Sequence, residues 1–373
     1  MKALLLSAYA ARSHRHWQTA VLSMLPDWDW CELNLPPRYF SWRIRGNAMT
    51  WSVNERAVLD SPRELLLATS MVDLATLRGL VPALTAVPTV VYFHENQFAY
   101  PPGRQRYSPL EAQITSIYTA MAADRLLFNS KFNRDTFMAG TDELLRKMPD
   151  MVPPGIEASL RAKSALLPVP FDSGLMPRPV DYWPSTAPGG RDKPLRLLWV
   201  GRFEHDKGGV GLLHTLEHLE AAGLHYELAV TGQQFRQSPP EFEQIRTRFT
   251  HRLVHFGFLA DESQYRGIQA AADIVLSTAV HEFQGLALMG AVALGCLPVV
   301  PGRLVYPEIY GEHWCYPSLP DHPVQEAAGA ADLIMTLASG DFSAPDVSAF
   351  TRQSLLDNYT RELSGVAWCR DGQ

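Results

Sequence analysis

The sequence predicts an α/β protein built from two doubly wound halves. Short apolar runs of strand length alternate with amphipathic stretches, and this alternation occurs twice. A Pro- and Gly-rich segment with neither the helix nor the strand period separates the two series. At 373 residues the chain also exceeds one typical domain.

The elements follow in order. "KALLLS" (2–7), "ELLLAT" (64–69), "TVVYF" (89–93) and "RLLFN" (125–129) have the near-continuous apolar character of strands covered on both faces, as parallel sheets require. Between the last two, "PLEAQITSIYTAMAA" (109–123) carries helical periodicity. Residues 168–194 read as a linker or long crossover. The alternation restarts with a strand at 195–200, a helix at 208–223 and strands at 226–232, 252–257, 272–278 and 297–300. Helical periodicity returns at 323–340 and 348–368. The expected domains are residues 1–175, residues 176–345 and a C-terminal helical segment, 346–373.

Composition narrows the function classes. Net charge is −6, so no global positive field marks a nucleic-acid or membrane-surface protein, although a local basic patch stays open. No stretch approaches the length of a membrane span, and the first apolar run reaches Arg12 too soon for a signal peptide, so a cytoplasmic chain with no membrane partner is expected. Cys31, Cys296, Cys315 and Cys369 lie far apart, without zinc spacing.

Ligands of doubly wound sheets bind beyond the carboxyl ends of the strands. At one such end the apolar "VVYF" runs into His94, Glu95, Asn96 and Gln97. Four polar side chains in a row point to a site, whereas a lone strand-end histidine often only satisfies nearby carbonyls. Asn129 and Ser130 occupy the equivalent end of another strand, where they line an acceptor side or Ser130 caps the next helix. In "LLWVGRFEHDKGG" (197–209) a strand leads through Arg202 and Lys207 to a glycine-opened helix, a plausible diphosphate cradle. The alternative is a solvated loop in which both cations pair with Glu204 and Asp206. In "STAVHEFQGLALMG" (277–290), Glu282 precedes Phe283, Gln284 and Gly285, whose main-chain amides would hold a sugar hydroxyl or phosphate oxygen. Glu282 as a helix-start residue facing the dipole is the plainer reading.

The order of "GR…EHDKGG", "HEFQGLALM" and "PEI" resembles the donor-binding half of two-domain, retaining GT-B glycosyltransferases of family 4. More narrowly, "SHRHW" (13–17), "LPPRYFSWRIRGNA" (35–48), "YFHENQFAYP" (92–101), "FNSKFNRDTF" (128–137) and "RLVYPEIY" (303–310) are similar to the tRNA-queuosine α-mannosyltransferase family. The resemblance implies a GT-B fold, two Rossmann-like domains facing across a cleft, with the final helix returning to the first domain. It implies transfer of mannose from GDP-mannose to queuosine in a tRNA anticodon, with retention and no metal cofactor. Arg202 and Lys207 would neutralise the leaving diphosphate, Glu282 and the following amides would hold the mannose, and His94 would face the sugar. Other GT-B acceptors, or a binding protein without turnover, remain alternatives.

Two departures stand out. The family pattern places a second Glu, a nucleotide-ribose ligand, eight residues after the first, where this chain has Gly290. Ala11 and Arg12 replace the usual paired glycines before Ser13 and His14. On the acceptor side, "PPRYFSWRIRG" (36–46) mixes Arg38, Arg43 and Arg45 with Tyr39, Phe40 and Trp42, an interleaving that suits a splayed RNA loop. The alternative places Phe40 and Trp42 in the core with the arginines solvated or ion-paired.

Overall fold

The computed structural model describes residues 1–100, 109–172, 182–183, 193–235 and 238–368. It divides into two compact units, Met1–Pro170 with Arg352–Gln373, and Phe171–Thr351. The expected boundary at 175/176 and most of the expected linker lie outside the described residues.

Unit 1 contains strands β1 (Lys2–Ser7), β2 (Asp29–Asn34), β3 (Leu65–Thr69), β4 (Thr89–Phe93), β5 (Arg125–Phe128) and β6 (Ser164–Leu166). Its helices are α1 (Arg12–Met24), α2 (Phe40–Asn54), α3 (Arg56–Leu59), α4 (Leu74–Leu80), α5 (Pro109–Ala122), α6 (Lys131–Arg146) and α7 (Ile156–Ala162). The strands form one parallel sheet in the order β2-β1-β3-β4-β5-β6. β3 and β4 are buried at every residue, which is why they read as unbroken apolar runs. β2 and β6 sit at the edges and are only partly buried, so no apolar run announces them. On one face Leu4, Leu66, Val91, Phe93, Phe128 and Phe137 belong to a core shared with α2, α4 and α6. On the other face Tyr92 stacks with Trp17 of α1.

Unit 2 contains β7 (Leu195–Val200), β8 (Tyr226–Thr231), β9 (Leu253–Gly257), β10 (Ile274–Leu276), β11 (Leu297–Pro301) and β12 (Cys315–Tyr316). Its helices are α8 (Gly209–Ala221), α9 (Pro240–Arg248), α10 (Glu262–Ala271), α11 (Leu286–Ala293), α12 (Tyr306–Tyr310) and α13 (Pro323–Ser339). The parallel sheet runs β12-β11-β10-β7-β8-β9, a Rossmann order in which β7 and β10 are neighbours although they leave in opposite directions. That reversal opens a crevice at their carboxyl ends. The last helix, α14 (Arg352–Trp368), packs on α1, β3 and β4 and completes unit 1. Among the described residues no helix is long and apolar enough to cross a membrane.

Candidate functional site

In unit 2 the sequence-predicted residues converge at the β7/β10 reversal. The loop after β7 carries Arg202 and Lys207, and the loop after β10 carries Glu282 to Gly285. Gly208 joins them: its φ of 73° is left-handed, and a Cβ there would lie 1.8 Å from the Thr278 carbonyl oxygen, so only glycine permits this approach. Gly285 has the same left-handed backbone and starts α11. Thr278 Oγ1 donates to the Lys207 carbonyl and accepts from Trp199 Nε1, tying the two loops to β7.

Lys207 Nζ lies 3.1 Å from Glu282 Oε2 and 3.1 Å from Asp206 Oδ2, and it donates to the His281 carbonyl. Burial opposes the Lys207 charge, but Glu282 and Asp206 outweigh it and hold its pKa above the ordinary lysine value. Burial likewise opposes the Glu282 charge. The Lys207 ammonium and the amides of Phe283 and Gln284 overcome it, so the carboxyl stays below its usual range. Those two amides donate to Glu282 Oε1 at 3.0 and 3.4 Å, so in this arrangement they serve the carboxylate rather than pointing at a ligand. Arg202 is half exposed and pairs with Glu204 at 2.8 Å and Asp206 at 3.7 Å. The plainer loop reading is therefore met for Arg202, which pairs with both carboxylates, while Lys207 pairs with Asp206 and takes Glu282 as its second partner. Gly290 falls in the second turn of α11, and a Cβ there would meet only Gln269 Nε2, at 3.9 Å.

The carboxyl end of β4 is organised differently. His94 is buried and stacks on His14 of α1, ring centroids 4.2 Å apart and 18° from parallel. Trp17 meets it edge-on at 4.8 Å, and Tyr92 packs at 4.7 Å. Trp17 Nε1 donates to the Tyr359 hydroxyl of α14, which in turn donates to the Pro168 carbonyl. Burial, with His14 as a second cause, holds the His94 pKa well below the ordinary imidazole value. Burial also lowers that of His14, partly offset by Glu95 and by the Tyr9 main chain. Both shifts favour the neutral imidazoles. His94 Nε2 is buried with no hydrogen-bond partner among the described residues.

The neighbours of His94 hold the strand end in place. Asn129 Nδ2 donates to the His94 carbonyl at 2.9 Å, and Asn133 Nδ2 donates to Asn129 Oδ1 and to the Phe93 carbonyl. Asn96 Nδ2 donates to Asn133 and Thr136, while its oxygen accepts from the amides of Phe98 and Ala99. Ser130 caps α6 by accepting from the Asn133 amide. Glu95 accepts from the Tyr100 hydroxyl. Of the polar row beginning at His94, the asparagine is spent on internal bonds and the imidazole keeps an unused nitrogen.

Ser13 is exposed on the first turn of α1, beside Arg12. The arginine and aromatic segment opens α2 and separates into two kinds of residue. Phe40 packs against the core and meets Tyr9 at 6.1 Å, whereas Trp42 and Tyr39 are exposed. Arg45 pairs with Asp73 and Glu111, whereas neither Arg38 nor Arg43 has a carboxylate partner among the described residues. Sequence reasoning missed Trp17, Tyr92 and Tyr359 around His94. Tyr359 is the least accessible to it, since nothing local marks a tyrosine 342 positions from its partner.

Comparison with known proteins settles the family. A model described as the tRNA-queuosine alpha-mannosyltransferase N-terminal family matches residues 2–171. A tRNA-queuosine alpha-mannosyltransferase of Drosophila melanogaster is 33% identical over 314 residues, 84% of this chain and 82% of that protein. The chain belongs to the tRNA-queuosine alpha-mannosyltransferase family. It is therefore a glycosyltransferase. Because 314 residues exceed either unit, the likeness extends into both. Among solved structures, the lipopolysaccharide outer core galactosyltransferase WaaB has a TM-score of 0.63 at 12% identity, covering 98% of this chain and 99% of its own. Sucrose-phosphate synthase from Thermosynechococcus elongatus has a TM-score of 0.64 at 14% identity, covering 100% and 98%. These likenesses carry the fold, two Rossmann-like units of GT-B type.

Proposed function

We propose that the protein transfers mannose from GDP-mannose to queuosine in a tRNA anticodon, with retention at the anomeric carbon. The observation that carries this reading is the similarity to the Drosophila protein across 84% of the chain. As the glycosidic bond breaks, negative charge develops on the departing diphosphate. Lys207, held cationic by its carboxylate neighbours, supplies preset stabilisation there, and Arg202 reaches the diphosphate by exchanging Glu204 and Asp206 for phosphate oxygens. In this scheme these two cations, rather than a metal ion, offset the charge. Glu282, kept ionised, has lone pairs left to accept from sugar hydroxyls. The neutral imidazole of His94 offers its unused Nε2 to the sugar. The cytoplasm is the proposed compartment. The test is incubation of purified protein with radiolabelled GDP-mannose and queuosine-containing tRNA, followed by digestion. Label in a modified nucleoside is expected, and no label from any nucleotide sugar would refute the reading.

Gly290 favours a second reading, a nucleotide- or RNA-binding protein without turnover. The open space at its Cβ position lets a longer side chain enter. In calorimetric titrations Gly290→Glu is expected to tighten GDP binding by about 1.5 to 3 kcal/mol, the worth of a hydrogen bond to a charged group. Weaker binding would show that Gly290 fills another role.

A further inference from the structure

The start of α2 is built to present one indole ring. Gly46 lies one turn below Trp42, and a Cβ at Gly46 would come within 2.5 to 2.7 Å of the indole carbons. The ring therefore lies flat along the helix over the missing side chain, yet Trp42 remains 50% exposed. Tyr39, 72% exposed, sits immediately before the helix with a left-handed φ of 54°, uncommon for a residue with a side chain. Its carbonyl accepts from the amides of Trp42 and Arg43, which fixes the helix start. The Arg38 guanidinium lies 5.7 Å from the Tyr39 ring centre. Phe40 points the other way and anchors the segment to Tyr9, in the loop that follows β1. The platform thus stands at the carboxyl edge of the first sheet, the edge at which His94 lies.

We propose that Trp42, held flat by Gly46 and flanked by Tyr39, Arg38 and Arg43, stacks an unpaired base of an RNA acceptor. The proposal rests on the RNA-acceptor reading above and specifies how it is met. Charge favours a polyanion on this unit: Met1–Pro170 with Arg352–Gln373 carries 21 Lys and Arg against 18 Asp and Glu, whereas Phe171–Thr351 carries 12 against 21. The acidic balance of the whole chain therefore belongs to unit 2. An exposed ring in a segment that also carries Arg38 on the Tyr39 face and Arg43, neither with a carboxylate partner among the described residues, suits a splayed base with its phosphates, because every base has a face to stack. A paired duplex offers no such face.

The experiment compares the full-length protein with its Trp42→Ala, Trp42→Phe and Gly46→Ala forms. Binding of a fluorescein-labelled RNA stem-loop and of the matching blunt duplex is read by anisotropy at one fixed salt concentration. Trp42→Ala is expected to weaken stem-loop binding about five- to a hundredfold, with a smaller loss for Trp42→Phe and little change with duplex. Gly46→Ala, which displaces the ring while leaving every charge in place, is expected to reproduce Trp42→Ala. Circular dichroism and GDP titration report whether each variant is folded. If the wild-type protein binds stem-loop RNA and all variants match it, the stacking assignment is wrong and the acceptor reading survives. No RNA binding by the wild type overturns both. Self-association lost in Trp42→Ala, with RNA binding unaltered, would instead assign this face to a second copy of the chain.

Discussion

Unit 1 ends its sheet in stacked rings and neutral imidazoles, whereas unit 2 ends its sheet in a cluster of cations and carboxylates. The imidazoles of unit 1 and the Lys207–Glu282 pair of unit 2 are both largely withdrawn from water, and the two ends meet that cost in different ways. At β4 no counter-charge lies close enough to outweigh burial, so His94 and His14 give up their protons. At the β7/β10 reversal Lys207 and Glu282 stand 3.1 Å apart, and each keeps the other ionised. The difference teaches that the polar cluster of unit 1 acts through hydrogen bonds and shape, while that of unit 2 acts through fixed charge.

The largest effect is expected from breaking the charged end. Lys207→Ala leaves the partly buried Glu282 carboxylate without its ammonium partner, and unfolding titrations are expected to show a loss of about 1 to 3 kcal/mol. Transfer should fall about 10²- to 10³-fold, as when a preset electrostatic group is removed. A double change to Met at 207 and Leu at 282 should recover stability without recovering activity. Wild-type activity in Lys207→Ala would remove fixed charge from the account of unit 2.

A smaller effect is expected at the neutral end. His94→Phe keeps the ring stack with His14 and the edge contact with Trp17 but deletes both nitrogens, so stability should stay within about 1.5 kcal/mol. Steady-state transfer should nevertheless fall about a hundredfold, as for loss of a positioned polar group. Equal losses of stability and activity would instead make His94 a packing residue.

The smallest effect is a difference in pH response. Folding holds the His94 and His14 pKa values below those of the unfolded chain, so unit 1 has its full stability above the ordinary imidazole value of about 6.5 and loses it as pH falls below that. The depressed pKa of Glu282 stabilises unit 2 above the ordinary carboxylate value of about 4.3, and that contribution is lost only as pH falls through the lower folded value. Hydrogen exchange at pH 7.5 and 5.5, corrected for intrinsic rates, is expected to show faster opening of β1 and β4 at the lower pH and no such change in β7 and β10. Equal responses would erase the contrast between the units.

Local pattern in the chain was enough for much of this molecule. Buried parallel strands must be apolar on both faces, so β1, β3, β4, β5, β7 and β8 are legible as runs of Leu, Val and aromatic residues; of the four edge strands, β2, β6 and β12 carry no such run and only β9 is legible, from its apolar start. Glycines at 208 and 285 mark left-handed turns because other residues are strained there. Tertiary structure alone decided which polar groups are consumed and which are offered. Asn96, Asn129 and Ser130 look as available in the sequence as His94, but α6 takes their hydrogen bonds. Phe40 and Trp42 are two residues apart and equally aromatic, yet one packs on the core and the other lies open over Gly46. The physical reason is range. Periodicity follows from the geometry of a single element, whereas a hydrogen bond or a ring contact depends on which distant segment the fold brings alongside, as Tyr359 is brought to Trp17.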